Sequence, residues 1–102
     1  MRRRWEPGRQ GTGYRKLLLA RGKRWDLYLL DYPPGTAIPE HVDPVVGRHH
    51  WRANLVLWGE RTFEGDAVVR AGPLVVFRPD VMPHAVGRVS RRRVVLSFGV
   101  AI

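Results

Sequence analysis

A histidine and an aspartate separated by one residue form the first group in the sequence that could do chemistry, His41-Val42-Asp43. In an extended strand, residues i and i+2 project from the same face, so the imidazole and the carboxylate would lie side by side. Pro39 and Pro44 flank the pair, which favours a strand end because proline cannot donate to a central ladder. The pair predicts two adjacent metal ligands, although taken alone it also fits two solvated loop residues.

A second histidine, His84, follows a proline-containing turn and begins a short apolar run. If its strand faced the strand that carries His41 and Asp43, two imidazoles and one carboxylate would converge. That set is the facial triad of non-haem Fe(II) oxygenases, which leaves coordination positions open. Zinc would prefer a third histidine or a cysteine and a closed tetrahedral site. The alternative is that His84 is an ordinary, partly buried histidine.

An arginine opens an otherwise apolar strand, Arg93-Val94-Val95-Leu96-Ser97-Phe98, nine residues after His84. A guanidinium in a strand that reads as core is costly unless it meets an anion, so Arg93 is predicted to bind one. Arg91 and Arg92 are assigned to a solvated turn. Alternation along a strand puts Arg91 and Arg93 on one face, so parity alone does not exclude Arg91.

Taken together, these motifs resemble the Fe(II)/2-oxoglutarate-dependent dioxygenases, especially their prolyl-4-hydroxylase-like branch. That family shows a tyrosine, a glycine-rich turn, His-x-Asp, a strand with Arg and Asn, a glycine-led apolar strand, a distal histidine and an arginine. The sequence supplies these elements in the same order, over roughly residues 25–101: Tyr32-Pro33-Pro34-Gly35, His41-Val42-Asp43-Pro44, Arg52-Ala53-Asn54-Leu55-Val56-Leu57, Gly72-Pro73-Leu74-Val75-Val76-Phe77, His84-Ala85-Val86 and Arg93.

The resemblance implies a catalytic centre in which Fe(II) is bound by His41, Asp43 and His84. It also implies that 2-oxoglutarate and dioxygen are the cosubstrates, and that a C–H bond is hydroxylated or oxidatively demethylated with release of succinate and CO2. The distal carboxylate of 2-oxoglutarate would pair with Arg93 in a bidentate contact. The further candidates for cosubstrate binding are Tyr32, Asn54, Ser97 and Arg52.

The chain also departs from the family pattern. Asp43 and His84 are 41 residues apart, which is a short connection for the family. Within this connection, one strand of the family pattern is reduced to Glu64-Gly65-Asp66-Ala67. Little chain is left for flanking helices or a lid. Two other functions therefore stay open: a metal-binding or degenerate jelly-roll module that binds nucleic acid, and a cupin-type metalloenzyme that does not use 2-oxoglutarate.

Short apolar runs bounded by glycine and proline turns occupy the chain from Leu17 onward, which indicates a sandwich or barrel of short strands. The family resemblance makes the expected fold class all-β, a minimal double-stranded β-helix (jelly-roll or cupin-like) of about eight short strands. Trp58 is assigned to its core, and His49 and His50 to a loop that is solvated, touches substrate or supplies an extra metal ligand. The candidate strands are residues 16–20, 25–32, 36–41, 52–58, 61–63, 66–71, 73–78, 84–89 and 93–101.

The composition limits the protein's class. The 102 residues are 44% hydrophobic, enough for one modest core, and include no cysteine. The lack of cysteine excludes disulfides, thiolate zinc sites and cysteine nucleophiles, and it fits a reducing cytoplasm. No apolar run approaches the roughly 20 residues of a membrane span, so we expect a cytoplasmic protein with no membrane partner. Residues 1–16 are predicted to form a flexible basic arm and residues 17–102 the jelly-roll oxygenase domain.

The sequence carries a formal charge of +9, from 18 lysines and arginines against 9 acidic residues. Such a field favours polyanions, so the unknown primary substrate is predicted to be a nucleic acid or a protein associated with one. The alternative is that the arginines reflect genome composition and a charged surface. A domain this small also has reason to form a homodimer.

Overall fold

The structure is a computed structural model that describes residues 5–7, 13–43, 45, 47–59 and 63–102. All regular secondary structure in these ranges is β-strand, and they include no helical segment with the length and hydropathy that a membrane span requires. The strands are β1 (Trp5–Pro7), β2 (Arg15–Arg21), β3 (Trp25–Tyr32), β4 (Ile38–His41), β5 (His50–Trp58), β6 (Phe63–Gly65), β7 (Val69–Ala71), β8 (Leu74–Phe77), β9 (His84–Val86) and β10 (Arg93–Ala101).

Two antiparallel sheets make up the described fold. The larger has the strand order β1-β2-β3-β10-β5-β8-β7, and the smaller has the order β4-β9-β6. From β3 to β10 the chain passes back and forth between the sheets, since β4, β6 and β9 belong to the smaller sheet and the other strands to the larger. This is the winding of a jelly roll. The expected all-β class is confirmed, and the described residues form ten strands where about eight were expected.

The hydrophobic core lies between the two sheets. Tyr32 and Val95 from the larger sheet meet Ile38 and Val86 from the smaller sheet, and Val89 from the loop before β10 joins them. Further along the sheets, Phe63 of β6 and Phe77 of β8 form a second cluster, with ring centroids 4.6 Å apart. Aromatic and β-branched side chains fit such a pleated surface well, which explains why these runs form strands.

Several element boundaries differ from the sequence-based expectation. Strands β3 and β10 have the expected bounds, but β5 begins at His50, so the loop assignment of this residue is wrong. The expected burial of Trp58 is also wrong, because its side chain is 70% exposed. A bulge opposite Val94 and Val95 shifts the register at the end of β5 and interrupts the alternation that would have turned Trp58 inward.

The segment expected to be a basic arm is described in part. Residues 1–4 and 8–12 lie outside the described residues, but Trp5–Pro7 pairs with Arg15–Leu17 of β2. Tyr14 is buried and stacks on Tyr32, with ring centroids 5.1 Å apart. The described part of residues 1–16 is therefore built onto the larger sheet, and the division at residue 16 stays a prediction.

Candidate metal centre

The two candidate histidine ligands are direct partners across a pair of strands. His41 ends β4 and His84 begins β9, and the antiparallel register of these strands puts the two residues opposite each other. Their ring centroids are 4.2 Å apart. Strand pairing therefore brings together two side chains that are far apart in the sequence.

Backbone carbonyls determine how both rings are oriented. Nδ1 of His41 lies 2.7 Å from the carbonyl oxygen of Pro39, and Nδ1 of His84 lies 2.9 Å from that of Met82. A carbonyl oxygen accepts but cannot donate, so each Nδ1 carries the proton. In the neutral rings the lone pair is then on Nε2, which is the state in which imidazole binds a metal. Contacts of this kind commonly orient metal-binding histidines.

The Asp43 carboxylate completes the group. Its Oδ2 lies 3.5 Å from Nε2 of His41 and 3.6 Å from Nε2 of His84. One potential ligand atom from each of the three residues lies within 4.8 Å of the other two. Two imidazole lone pairs that face a carboxylate repel it unless a cation or a proton lies between them. The donor set therefore fits a divalent metal bound by two histidines and one carboxylate.

The surroundings of the triad are apolar on one side and open on the other. The His84 ring packs against a pair of phenylalanine rings, with centroid distances of 5.0 Å to Phe77 and 6.2 Å to Phe63. The His84 side chain is 9% exposed, whereas those of His41 and Asp43 are 18% and 22% exposed. A metal bound here would be enclosed by apolar side chains on the side of His84. Further ligands could reach it from the side of Asp43, which is more exposed.

That open side leads into a cavity of about 280 Å³, the triad cavity, on the inner face of the larger sheet. A polar row crosses its floor: Arg52 donates to Ser97 Oγ at 2.7 Å, and Ser97 Oγ donates to Asn54 Oδ1 at 2.6 Å. Arg52 also forms an ion pair with Asp26 at 2.7 Å. Because Oδ1 of Asn54 accepts from Ser97, its NH2 group is left to donate elsewhere.

Arg93 is almost completely buried, with 1% of its surface exposed, and its guanidinium lies 4.7 Å from the centroid of the Tyr32 ring. Burial lowers the pKa of Arg93, while the Tyr32 hydroxyl, which accepts a hydrogen bond from Arg93, opposes that change. Arg93 lines a second cavity of about 170 Å³, the arginine cavity. Asn54 borders both cavities, and Phe63, which stacks on His84, borders this one.

Comparisons with known proteins bear on the fold. No protein-family model and no curated protein matches the chain. A prolyl-4-hydroxylase from Pseudomonas putida superposes with a TM-score of 0.73 at 19% identity, covering 94% of this chain and 76% of that one. The Cnp3 cupin domain of Schizosaccharomyces pombe gives 0.69 at 10% identity, covering 87% and 65%. An RmlC-like cupin from Desulfovibrio desulfuricans gives 0.60 at 25% identity, covering 81% and 77%.

The chain has the cupin fold. Enzymes with this fold occur among the matches: besides the hydroxylase, the DMSP lyase DddQ from Ruegeria pomeroyi has a TM-score of 0.70 at 19% identity, with 96% of this chain and 56% of that one covered. The chain is thus shorter than these neighbours and spans 65% of the Cnp3 structure. At such identities the superpositions support the cupin fold and leave the reaction open.

Within the cupin barrel, the sequence-predicted residues fall into two groups. His41, Asp43, Arg52, Asn54 and Ser97 line the triad cavity, and His84 contacts Asp43 from β9. The other group consists of Arg93, which lines the arginine cavity, and Tyr32, whose ring contacts the Arg93 guanidinium; Asn54 lines both cavities.

The arginines before β10 differ in their surroundings, as the sequence suggested. Arg91 and Arg92 are exposed, whereas Arg93 is buried. Arg92 is nevertheless ordered by a bidentate contact with Asp31, at 2.8 and 3.0 Å, and Arg15 binds the same carboxylate. Asp31 was missed as a partner for these cations.

Sequence reasoning allowed His50 to touch substrate but placed it in a loop and did not group it with Arg52 and Asn54. His50 precedes Arg52 and Asn54 by two and four positions in β5 and lines the triad cavity with them. Burial is the main cause that lowers the pKa of His50, and the positive charge of nearby Arg52 lowers it further. The period of two was the signal that could have identified it. His49, by contrast, is exposed, with Nδ1 2.9 Å from Nη2 of Arg78.

Proposed function

We propose that this protein is an Fe(II)- and 2-oxoglutarate-dependent oxygenase. The observation that carries the proposal is the convergence of His41, Asp43 and His84 at an open cavity, with a buried arginine lining the cavity next to it. Nearly all of the chain superposes on a prolyl-4-hydroxylase, which is consistent with this chemistry.

The triad would hold the metal through Nε2 of His41, Nε2 of His84 and one carboxylate oxygen of Asp43. Three protein ligands would leave coordination positions of the metal open for cosubstrate and oxygen. Such a centre supplies the oxidising chemistry, in which oxidative decarboxylation of 2-oxoglutarate to succinate and CO2 is coupled to hydroxylation of a C–H bond. The carbonyl oxygens of Pro39 and Met82 orient the His41 and His84 rings and keep them in the tautomer that binds a metal.

Arg93 and Tyr32 would bind the distal carboxylate of 2-oxoglutarate. A buried guanidinium is stabilised by an anion, and its planar fork matches a carboxylate. Burial raises the pKa of Tyr32 to about 12, although Arg93 acts against the rise, so the phenol keeps its proton and can donate. The NH2 group of Asn54, at the wall between the two cavities, is available to a ligand that extends from the triad toward Arg93.

The substrate that we propose is a nucleic acid. A cavity of about 290 Å³ adjoins the triad cavity, since Asp26, Tyr28 and His50 line both. The end of β2 and the turn that follows it, residues 21–24, line this cavity and supply three cations, and Trp25 lines it beside them. Cations with neighbouring aromatic rings suit phosphates and unstacked bases.

Succinate formation is the direct test. The protein is incubated with Fe(II), ascorbate and 2-oxoglutarate, and succinate is measured against the His84→Ala variant and, as a matched control, His49→Ala. We expect succinate from the wild type and from His49→Ala, and a loss of at least tenfold in His84→Ala. If the wild type and His49→Ala bind metal but neither forms succinate, the alternative is favoured, a cupin-type metalloenzyme that does not use 2-oxoglutarate.

A further inference from the structure

The arginine cavity is bordered by two guanidinium groups. Besides Arg93, the residues that line it include Arg70 of β7. None of the described lining residues is acidic, and Asn54 is the one uncharged polar side chain among them. A small cavity lined by two cations and by no carboxylate is complementary to an anion. The sequence pattern assigned an anion to Arg93 and no role to Arg70.

The cross-strand register places Arg70 on the inner face of the larger sheet. One row of direct partners crosses this sheet from β3 to β7: Tyr28, Ser97, Asn54, Val75 and Arg70. Val75 is buried in the cluster that contains Phe63, and Asn54 lines both cavities, so the row faces inward. Arg70 is therefore the member of this row on the edge strand β7, next to the smaller sheet.

Backbone carbonyls of β6 hold the Arg70 guanidinium in place. Nη2 donates to the carbonyl oxygen of Gly65 at 2.9 Å, and Nη1 donates to that of Phe63 at 3.3 Å. The guanidinium also lies over the Phe63 ring, 5.4 Å from its centroid. These two bonds use two of the five N–H donors of an arginine, and neither acceptor carries a charge. Arg70 is thus a positioned cation that has further donors for a ligand.

The arginine cavity extends from a buried cation to an exposed one. Arg93 is 1% exposed, whereas Arg70 of β7 and Gly72 of the β7–β8 turn are exposed, so the cavity opens to solvent beside this turn. The triad cavity lies on the other side of Asn54. A small anion therefore has an entrance that does not pass through the triad cavity. Arg70 is the cation that such an anion meets there, and Arg93 is the cation that it reaches inside.

Another part of the chain shows how two arginines share one carboxylate. Asp31 accepts hydrogen bonds from Arg92 at 2.8 and 3.0 Å, and it also forms an ion pair with Arg15. The arginine cavity has the two cations of such a cluster, but its described lining includes no carboxylate. A ligand would supply that group, and a carboxylate has enough lone pairs to accept from both side chains.

We propose that Arg70 is a specificity-determining residue that makes the arginine cavity select ligands with a carboxylate at their far end. In a 2-oxo acid held at the triad, the far carboxylate binds Arg93 and Arg70 together. A 2-oxo acid that ends in a methyl group gives neither cation an anion, and it is bound more weakly. The identity of the ligand rests on the proposed function, but the affinity of the two arginines for a small carboxylate does not.

The dissociation constants of 2-oxoglutarate and 2-oxobutyrate, measured by calorimetry with Ni(II)-loaded protein, test the proposal. Both ligands carry the same metal-chelating group, so the ratio of the two constants isolates the far carboxylate. We expect Arg70→Gln to weaken 2-oxoglutarate binding roughly tenfold and to change 2-oxobutyrate binding less than about twofold, because a single charge-assisted contact is lost. Arg70→Lys keeps the charge and should lose less affinity.

Arg88→Gln is the matched control, since Arg88 is also an exposed arginine that donates to a backbone carbonyl, that of Gly35. It should leave both dissociation constants unchanged. Thermal unfolding shows whether each variant is folded, and Arg70→Lys gives the answer if Arg70→Gln does not fold. An unchanged ratio in the Arg70 variants would overturn the proposal. So would an equal loss for both ligands, which is the result expected if Arg70 only ties β6 to β7.

A titration of the metal-free protein separates this proposal from the oxygenase assignment. The probe is glutarate, which has the carbon chain of 2-oxoglutarate but no 2-oxo group. We expect it to shift the NMR signals of the Nε–H groups of both Arg70 and Arg93, whether or not the protein forms succinate. The Arg70→Gln and Arg88→Gln variants assign the signals and repeat the control. A shift at Arg93 alone, or at neither arginine, would overturn the proposal.

Discussion

His41 and His84 are held in the same way, although they belong to different strands. Each ring binds, through Nδ1, the carbonyl oxygen of the residue two positions before it. Because the two residues are also direct partners in the β4–β9 register, both Nε2 atoms face the Asp43 carboxylate. The geometry of the site therefore depends on backbone positions, namely the carbonyl oxygens of Pro39 and Met82 and the β4–β9 register.

Removal of His84 should abolish stoichiometric metal binding. We expect the wild type to bind one equivalent of Fe(II), with Co(II), Ni(II) or zinc as substitutes, and His84→Ala to bind at least about 100-fold more weakly, since even an outer-shell partner contributes 10–100-fold. Calorimetric titration of the apo protein with Co(II) measures the change. His49→Ala, in an exposed residue outside the triad, should bind as the wild type does; equal affinity in His84→Ala would remove His84 from the site.

Binding of 2-oxoglutarate should depend on Arg93 and not on Arg91. Arg93 is buried beside Tyr32, whereas Arg91 is exposed. Loss of a buried charge-assisted contact should weaken binding by about 2–5 kcal/mol in Arg93→Ala. Arg93→Lys keeps the charge but loses the fork, so it should bind with intermediate affinity.

The affinity for 2-oxoglutarate is measured by calorimetry with Ni(II) in place of iron, which prevents turnover. Thermal unfolding of each variant controls for folding, because Arg93 lies in the core. If Arg93→Ala binds as the wild type does and Arg91→Ala does not, the assignment of the carboxylate to the arginine cavity is wrong.

Stability should depend on the charge of Asp31 and should fall in acid. Burial alone would raise the pKa of Asp31, but the hydrogen bonds from Arg92 and Arg15 outweigh it and hold the pKa below its usual value. The stabilisation is therefore present above the unfolded pKa of about 3.9 and is lost as the pH falls through the lower folded pKa. Asp31→Asn should melt a few degrees below the wild type at neutral pH, and the difference should narrow below about pH 4.

Thermal unfolding from neutral to acid pH measures this difference, with Asp66→Asn, in an exposed residue, as the control. A gap between wild type and Asp31→Asn that stays constant down to the lowest pH would show that the ion cluster contributes nothing through its charge.

Local patterns were enough to predict much of the fold. Gly22 and Pro33 bound β3, and β10 begins where the charged residues Arg91 and Arg92 give way to an apolar run, so the limits of both strands follow from the sequence. The pairing of His41 with His84 is different, since it joins residues 43 positions apart and no local pattern encodes it. The order of family motifs supplied that relationship, and the strand register agrees with it.

The pairing of Trp5–Pro7 with β2 was not predicted, because these residues lie among arginines and glycines. The misassignments of His50 and Trp58 also have physical causes. His50 was assigned to a loop because Gly47 and the charged residues after it resemble one, yet pairing with Ala101 extends β5 to this residue. The outward turn of Trp58 depends on a bulge, which a strict period of two does not anticipate.

Nucleic-acid binding should be strongly salt-dependent and should use the cations at the rim of the cavities. If several phosphates are neutralised, log affinity should fall linearly with log salt, by about 0.7 to 0.9 per contact. Replacing Arg21, Lys23 and Arg24 together with serine should flatten this slope by about two units and leave metal binding unchanged. Arg88→Ser is the control, since Arg88 binds the carbonyl oxygen of Gly35, past the opposite end of β3.

The contribution of the basic N-terminal segment is measured in the same way, but by removing residues 1–4 rather than 1–16. The longer deletion would remove buried Tyr14 and the Arg15 partner of Asp31, and so would damage the fold. Fluorescence anisotropy with single-stranded and duplex oligonucleotides, over a range of salt concentrations, gives the slope of log affinity against log salt for the full chain and for the shortened chain. We expect the shorter deletion to reduce the slope while Co(II) and 2-oxoglutarate still bind. No detectable binding at low salt would rule out a nucleic-acid substrate, and a small molecule or peptide would then occupy the cavity beside the triad.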